Sequence, residues 1–133
     1  MPTASVYLRD KLALNVLSGT AFTPPASYLG LFNGTPTSAG GTEVTGGGYA
    51  RVLIPASGWG YVPFGFDGWY VLSRTYFPRA TSTWGSVGYY GVWDAPTGGN
   101  FLLFGRFSSF QTINADQTLV IAGGTLDVLI QFL

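Results

Sequence analysis

Cysteine and histidine are both absent from this chain of 133 residues. Without cysteine there is no disulfide, no thiolate nucleophile and no thiolate metal site, and the fold is indifferent to redox compartment. Without histidine the commonest general base and metal ligand is missing. No metal and no cofactor are expected. Charge is scarce as well: charged residues make up 9% of the chain, against about 25% in an ordinary soluble domain. The six basic and six acidic residues cancel and form no run of either sign. Lys11 is the only lysine, so there is no clustered cationic track to displace counterions from nucleic acid. An uninterrupted apolar run of about 18 residues is missing too, which excludes a helical membrane span. Arg9, Asp10 and Lys11 break the only apolar stretch near the N-terminus, which is not a secretory pattern.

What is abundant is apolar and aromatic surface. Hydrophobic residues account for 47% and aromatics for 17%. A lone soluble monomer keeps charge on its outside to stay dispersed. A charge-poor, ring-rich chain is therefore expected to have much of its surface covered by other subunits, as a homo-oligomer (a dimer or trimer) or against other proteins. The length fits a single domain spanning residues 1–133.

The first periodic segment, residues 5–18, predicts a short helix. Leu8, Leu12 and Val16 recur at spacing four, flanked by Ala13 and Leu17, which makes one apolar face. Thr3 or Ser5 suits the N-cap and Gly19 the left-handed C-terminal position. This helix is expected to close one end of the core, with an arm docked on a partner as the alternative. After Thr23-Pro24-Pro25 the period drops to two. Strand-like runs follow at "SYLGLF" (27–32), "YARVLIPA" (49–56), "WYVLSRTYF" (69–77), "VGYYGVWDA" (87–95), "FLLFGRFSSF" (101–110), "TLVIA" (118–122) and "TLDVLIQFL" (125–133). Short strands divided by Gly, Pro and Asn turns predict an all-β fold: an antiparallel, jelly-roll-like β-sandwich with one N-terminal helix.

The stretch 40–48, "GGTEVTGGG", carries five glycines and invites a phosphate-binding reading. That reading fails on chemistry. Gly41 and Gly46 have P-loop spacing, but Gly47 stands where a lysine must reach the phosphates, and a strand rather than a helix follows. Gly46, Gly47, Gly48, Tyr49 and Arg51 are instead expected to form a structural corner between strands, with Tyr49 and Arg51 on one face. Nucleophilic catalysis lacks a base, and no G-x-S-x-G is present. The acids are Asp10, Glu43, Asp67, Asp94, Asp116 and Asp127; Asp67, Asp94 and Asp116 stand in turn-like contexts where Asp bonds its own backbone. No catalytic residue is assigned and no enzyme activity is expected.

Rings supply the candidate interface. Trp59, Tyr61, Phe64 and Phe66 crowd an irregular, glycine-spaced loop at 57–68, with Trp69 directly after it, and exposed rings on a loop anchor protein partners or stack on sugars. Tyr70, Leu72 and Tyr76 are assigned to the core. Asn33-Gly34-Thr35 matches a glycosylation acceptor but reads as a plain turn.

With these residues laid out, a resemblance emerges. "LSGTAFTPPASYLGLFNGTPTSAGGTEVTGGGYARV" (17–52), "FPRATSTWGSVGYYGVWDAPTGGNFLLFGRF" (77–107) and "INADQTLVIAGGTLDVLI" (113–130) resemble small virion proteins of tailed bacteriophages, a tail-fibre-like group whose domains are similar to capsid cement (decoration) proteins. The resemblance weakens between Pro55 and Thr75. It implies a structural role in the virion, assembled in the host cytoplasm. The first expectation is a cement protein stabilising the shell through symmetric contacts with the major capsid protein or other virion proteins. A tail-fibre or baseplate component is the alternative, and a carbohydrate-binding module using the loop rings is an alternative of another class. Neither nucleic acid nor a membrane is an expected partner.

Overall fold

A computed structural model describes residues 3–62, 68–71, 73–122 and 128–132, with side chains for 3–60 and 73–122. The chain folds into antiparallel sheets with one helix, as the strand-and-turn pattern predicts. Strands β1 (Thr3–Ala4), β2 (Ser27–Phe32), β3 (Val52–Ile54), β7 (Gly85–Trp93) and β8 (Phe101–Ile113) make a five-stranded sheet in the order β1-β8-β7-β2-β3. Strands β6 (Thr75–Tyr76), β9 (Gln117–Ile121) and β10 (Val128–Phe132) make a second sheet with β9 in the middle. Strands β4 (Trp59–Val62) and β5 (Gly68–Val71) form a separate antiparallel pair.

The two larger sheets close on one core. Leu29 and Leu31 of β2, Val87 and Val92 of β7, and Phe107 and Ile113 of β8 pack with Leu119 and Ile121 of β9 in a single buried cluster. Phe77, Ala80 and Trp84, on the crossing between the sheets, join it, as do Val44, Ile54, Tyr90 and Leu102. Strand alternation selects these residues: Leu29 and Leu31 point inward, while Phe32 belongs to the other face. Each such side chain contributes on the order of 1.5–3 kcal/mol by leaving water.

Three segments and the core assignment of one residue differ from the sequence expectation, each for a physical reason. The run 49–56 is strand only at Val52–Ile54, because the three preceding glycines turn the chain and Tyr49 and Arg51 are engaged elsewhere. The run 69–77 splits into β5 and β6, since these join different sheets and the chain must turn between them. The stretch expected to be irregular starts with a single 3-10 turn at Ala56–Gly58 and continues as β4. Tyr76, assigned to the core, is 52% exposed: period two puts its neighbours Thr75 and Phe77 inward and Tyr76 outward. The side chain of Tyr70 lies outside the described side chains, and Leu72 outside the described residues.

Helix α1 (Val6–Ser18) has the ends its sequence dictates. The Ser5 hydroxyl accepts from the Leu8 amide at 3.1 Å, and Gly19 closes the helix at φ 68. Ser5 also fixes where the helix departs. Its hydroxyl donates to the Phe101 carbonyl at 2.6 Å, and its amide to the Leu102 carbonyl at 2.8 Å. The packing of α1 departs from expectation. No residue of α1 is buried; only Tyr7 and Leu8 of its first two turns rest against the core. Anchored by Ser5 on β8, the helix leaves the sandwich instead of lying across it. Leu12, Val16 and Leu17, the stripe expected to face inward, are 46%, 77% and 84% exposed.

Candidate functional site

The glycine corner is built on a run of three left-handed residues. Gly46, Gly47 and Gly48 have φ of 73, 56 and 76, a sequence of conformations that residues with a Cβ strongly resist. The run returns the chain on itself, with the Tyr49 amide donating to the Gly46 carbonyl at 3.0 Å. Gly47 is held from two sides: its carbonyl accepts from the Thr81 amide at 2.9 Å and from Trp84 Nε1 at 2.8 Å. A Cβ there would stand 2.6 Å from Ser82 Oγ and 3.0 Å from the Ser82 carbonyl. The corner thus docks against the segment that carries the chain between the two sheets.

The swing delivers Tyr49 to a gap in the sheet. Strand β3 pairs with β2 only as far as Leu29. Beyond that point the Leu31 amide donates to the Tyr49 hydroxyl at 3.0 Å, and the Val44 amide donates to the Leu31 carbonyl at 3.0 Å. Tyr49 therefore stands in for the missing strand. Its ring stacks with Phe77 at 6.4 Å and meets Trp84 edge-on at 5.5 Å. Its hydroxyl donates to Glu43 Oε1 at 2.8 Å. Burial, and then the adjacent Glu43 carboxylate, raise the Tyr49 pKa well above the ordinary phenol value.

Arg51 joins the same carboxylate. Nε and Nη2 donate to Glu43 Oε1 and Oε2, both at 2.8 Å, in a bidentate pair. Nη1 donates to the carbonyls of Ala95 and Gly98 at 2.9 and 2.8 Å. Those carbonyls are presented by a turn that Asp94 closes, accepting from the Asn100 amide at 2.6 Å and from Asn100 Nδ2 at 2.8 Å. The guanidinium carbon lies 4.0 Å over the Trp93 ring. The Arg51 side chain is 7% exposed and that of Glu43 23%. A hollow of about 310 Å³ adjoins the cluster, yet the Arg51 nitrogens all donate within the chain. The corner tethers; it does not present its cation to a ligand.

Beneath Arg51 lies a second aromatic layer, on the outer face of the five-stranded sheet. Phe32, Trp93 and Phe101 pack at 5.2–5.7 Å between ring centroids, and Phe104 joins at 6.0 Å from Phe101. Phe32 is fully buried and Trp93 nearly so. Neither Glu43 nor Trp93 was singled out by sequence reasoning. The signal for Trp93 was there: Gly30 and Gly91 are cross-strand partners, and a Cβ on either would meet the Trp93 ring at 2.7 Å.

The expected interface rings are only partly placed. Trp59 is half-buried at the start of β4 and packs at the edge of the core. Tyr61 and Trp69 are cross-strand partners between β4 and β5, with side chains outside those described. Phe64 and Phe66 lie outside the described residues. Trp59 does line an apolar groove of about 300 Å³, together with Leu8, Pro24, Pro25, Val92 and Leu102. That groove begins at the base of α1, so Trp59 and the helix share one region. Among the described residues no group of three or more acidic side chains could hold a metal, and no helix is long and apolar enough to cross a membrane.

With this geometry established, the comparisons identify the family. The family model of the podophage GP4 fiber I protein gp80 matches residues 3–129, and the chain belongs to that family. No curated protein matches it. The chain is accordingly a structural protein of a tailed-phage virion, of tail-fibre-like kind.

Proposed function

We propose that the chain is a fibre component of the phage tail, joined to another virion protein through α1 and the apolar groove at its base. The observation that carries this reading is the helix itself. It is capped at both ends and pinned to β8, yet Val16 and Leu17 are 77% and 84% exposed and Val6, Leu12 and Leu14 close to half. Apolar side chains concentrated on one projecting element mark an interaction site. The family name supports a fibre. The scarcity of charge agrees with a surface designed to be covered. A structural rather than catalytic role is supported by the chemistry of Glu43, whose carboxylate is committed to Arg51 and Tyr49.

A capsid cement protein is the second reading; the same apolar helix would then seat on the shell. Immunogold labelling of purified particles separates the two. Label at the tail is expected, and label distributed over the head overturns the fibre assignment. Loss of the protein from particles on replacing Leu12 and Val16 together by Asp tests the helix in either location, because unchanged incorporation rejects α1 as the joint.

A further inference from the structure

The end of β2 is tied to the start of β7 by one side chain. Asn33 follows β2 directly, and its amide donates to the Thr42 carbonyl at 2.9 Å. Its carboxamide reaches further: Nδ2 donates to the carbonyls of Trp84 and Ser86 at 2.8 and 3.2 Å. Between those carbonyls stands Gly85 at φ 88, where a Cβ would lie 3.5 Å from the same Nδ2. The carboxamide thus clips both sides of a left-handed bend. That bend carries Trp84, whose indole donates to the Gly47 carbonyl, so the clip and the glycine corner share a residue. Asn33 is itself exposed. It is followed by Gly34, where a Cβ would meet nothing within 4 Å. The other asparagines, Asn15, Asn100 and Asn114, precede Val16, Phe101 and Ala115.

We infer that Asn33 is a site of spontaneous deamidation, which the clip holds latent in the folded chain. The Gly34 nitrogen gives up its proton and attacks Asn33 Cγ. An N–C bond forms, the Cγ–Nδ2 bond breaks, and ammonia leaves with that proton. Water then opens the cyclic imide, at the side-chain carbonyl to give aspartate or at the main-chain carbonyl to give isoaspartate. Asparagine is among the thermally labile residues, and a successor without a Cβ leaves the attack unhindered. The reaction removes Nδ2 from the molecule, so both bonds to the carbonyls are given up on the way; this slows it while the clip is closed. Either product ends in a carboxylate, which accepts hydrogen bonds and donates none. It faces the two carbonyl oxygens that the carboxamide had satisfied. The bend at Gly85 loses its tie, and the seat of Trp84 on the corner loosens with it. A virion protein is not renewed once the particle has left its host, so the change accumulates, wherever on the particle the chain sits.

The test follows the whole chain in mildly alkaline buffer, folded and in urea, with peptide mass spectrometry as the readout. In urea Asn33 should convert well ahead of Asn15, Asn100 and Asn114, and Gly34→Ala should slow it to their pace. In the folded chain its conversion should be slower than in urea by about fivefold or more, the factor that two modest hydrogen bonds set. The converted fraction, separated from aged protein by ion exchange, should melt below the parent, and it supplies the product even where a variant does not fold. Asn33→Asp isolates the charge from the isoaspartate backbone. The two carbonyl oxygens raise its carboxyl pKa in the folded state, so its deficit against the parent should be present at about pH 7 and smaller at about pH 3, where the protonated acid again donates. Equal conversion of the folded and unfolded chains overturns the latency. Conversion of Asn33 in urea no faster than that of the other three asparagines overturns the site. A converted fraction that melts with the parent overturns the clip.

Discussion

The glycine corner and helix α1 use their side chains in opposite ways. At the corner, Tyr49, Arg51 and Glu43 satisfy one another, close the edge of β2 and hold the turn of residues 94–100. In the helix, both ends are capped, but none of the aliphatic residues between is buried, and among the described residues none covers the exposed ones. The side chains of the corner are engaged within the chain, whereas those of the helix stay exposed. On the proposed role of α1, the cost of exposing its middle falls on the free chain and the benefit on the assembled particle. The contrast makes definite demands on mutants: changes at the corner should lower stability, and changes on the helix should lower assembly alone.

The largest loss is expected for Gly47→Val. A β-branched residue at φ 56 is strained by roughly 1–3 kcal/mol, and its Cβ alone would stand 2.6 Å from Ser82 Oγ and 3.0 Å from the Ser82 carbonyl and Trp84 Cδ1. Urea titration should show a loss of about 3 kcal/mol or more, or no soluble protein. A variant melting with the parent would show that the corner is slack and dissolve the contrast. Next comes Glu43→Gln. It leaves Arg51, 7% exposed, without its anion, at a cost of about 2–3 kcal/mol, below the full range for buried pairs because Glu43 is partly solvated. If Arg51→Met in the same background restores the stability, the unpaired charge is the cause; if it does not, lost packing against Trp93 is.

Much of this architecture was legible in advance, for identifiable reasons. Strand β2 was bounded in the sequence by Pro25 and Asn33-Gly34 and lies within those limits at Ser27–Phe32. The C-cap at Gly19 was equally plain, and Ser5 is the one of the two N-cap candidates, Thr3 and Ser5, that the structure uses. The three glycines before Tyr49 announced a corner, because positive φ leaves few other residues available. What could not be read was side-chain partnership across long separations. Arg51 meets the turn after Asp94 only once β2 and β7 have paired, and nothing local in "YARV" indicates that. The helix was misjudged for a related reason. Periodicity reports that a face is apolar, not what covers it. The bulge that sets Gly88 alone against residues 107–110 was hidden too, since "FLLFGRFSSF" gives no sign that its strand partner offers a single glycine.

Tyr49 sharpens the corner side of the contrast through pH. Burial and Glu43 raise its pKa in the folded chain, and burial raises Tyr90 to about 12. The unfolded phenol ionises near about 10, so above that pH the unfolded state loses protons that the folded state retains. Stability from these two groups is thus fully present below about pH 10 and declines as the pH rises further. Tyr49→Phe should cost about 1–2 kcal/mol at neutral pH, from the bonds to Leu31 and Glu43. It should also shallow the alkaline decline, visible in melts between pH 9 and 11, a range chosen about the phenol value. An alkaline decline equal to the parent's would remove Tyr49 from the account.

The smallest effect on stability is the one that completes the comparison. Leu17→Glu, at an 84% exposed position in the last turn of α1, should change the unfolding free energy by less than about 0.5 kcal/mol. A modest part of even that change comes from placing an anion near the helix C-terminus, where the dipole disfavours it; Leu17→Lys reverses that term and controls for it. Both variants place a charge where the proposed partner must bury an aliphatic group, so both should be depleted from particles while melting like the parent. Incorporation is read by mass spectrometry of purified virions, stability by thermal melts of the isolated chain. If both variants incorporate normally, the exposed face of α1 is not the joint, and its uncovered side chains lose their explanation. If only Leu17→Glu is depleted, the partner presents negative charge around the seat of the helix, and the contact is electrostatic at its rim.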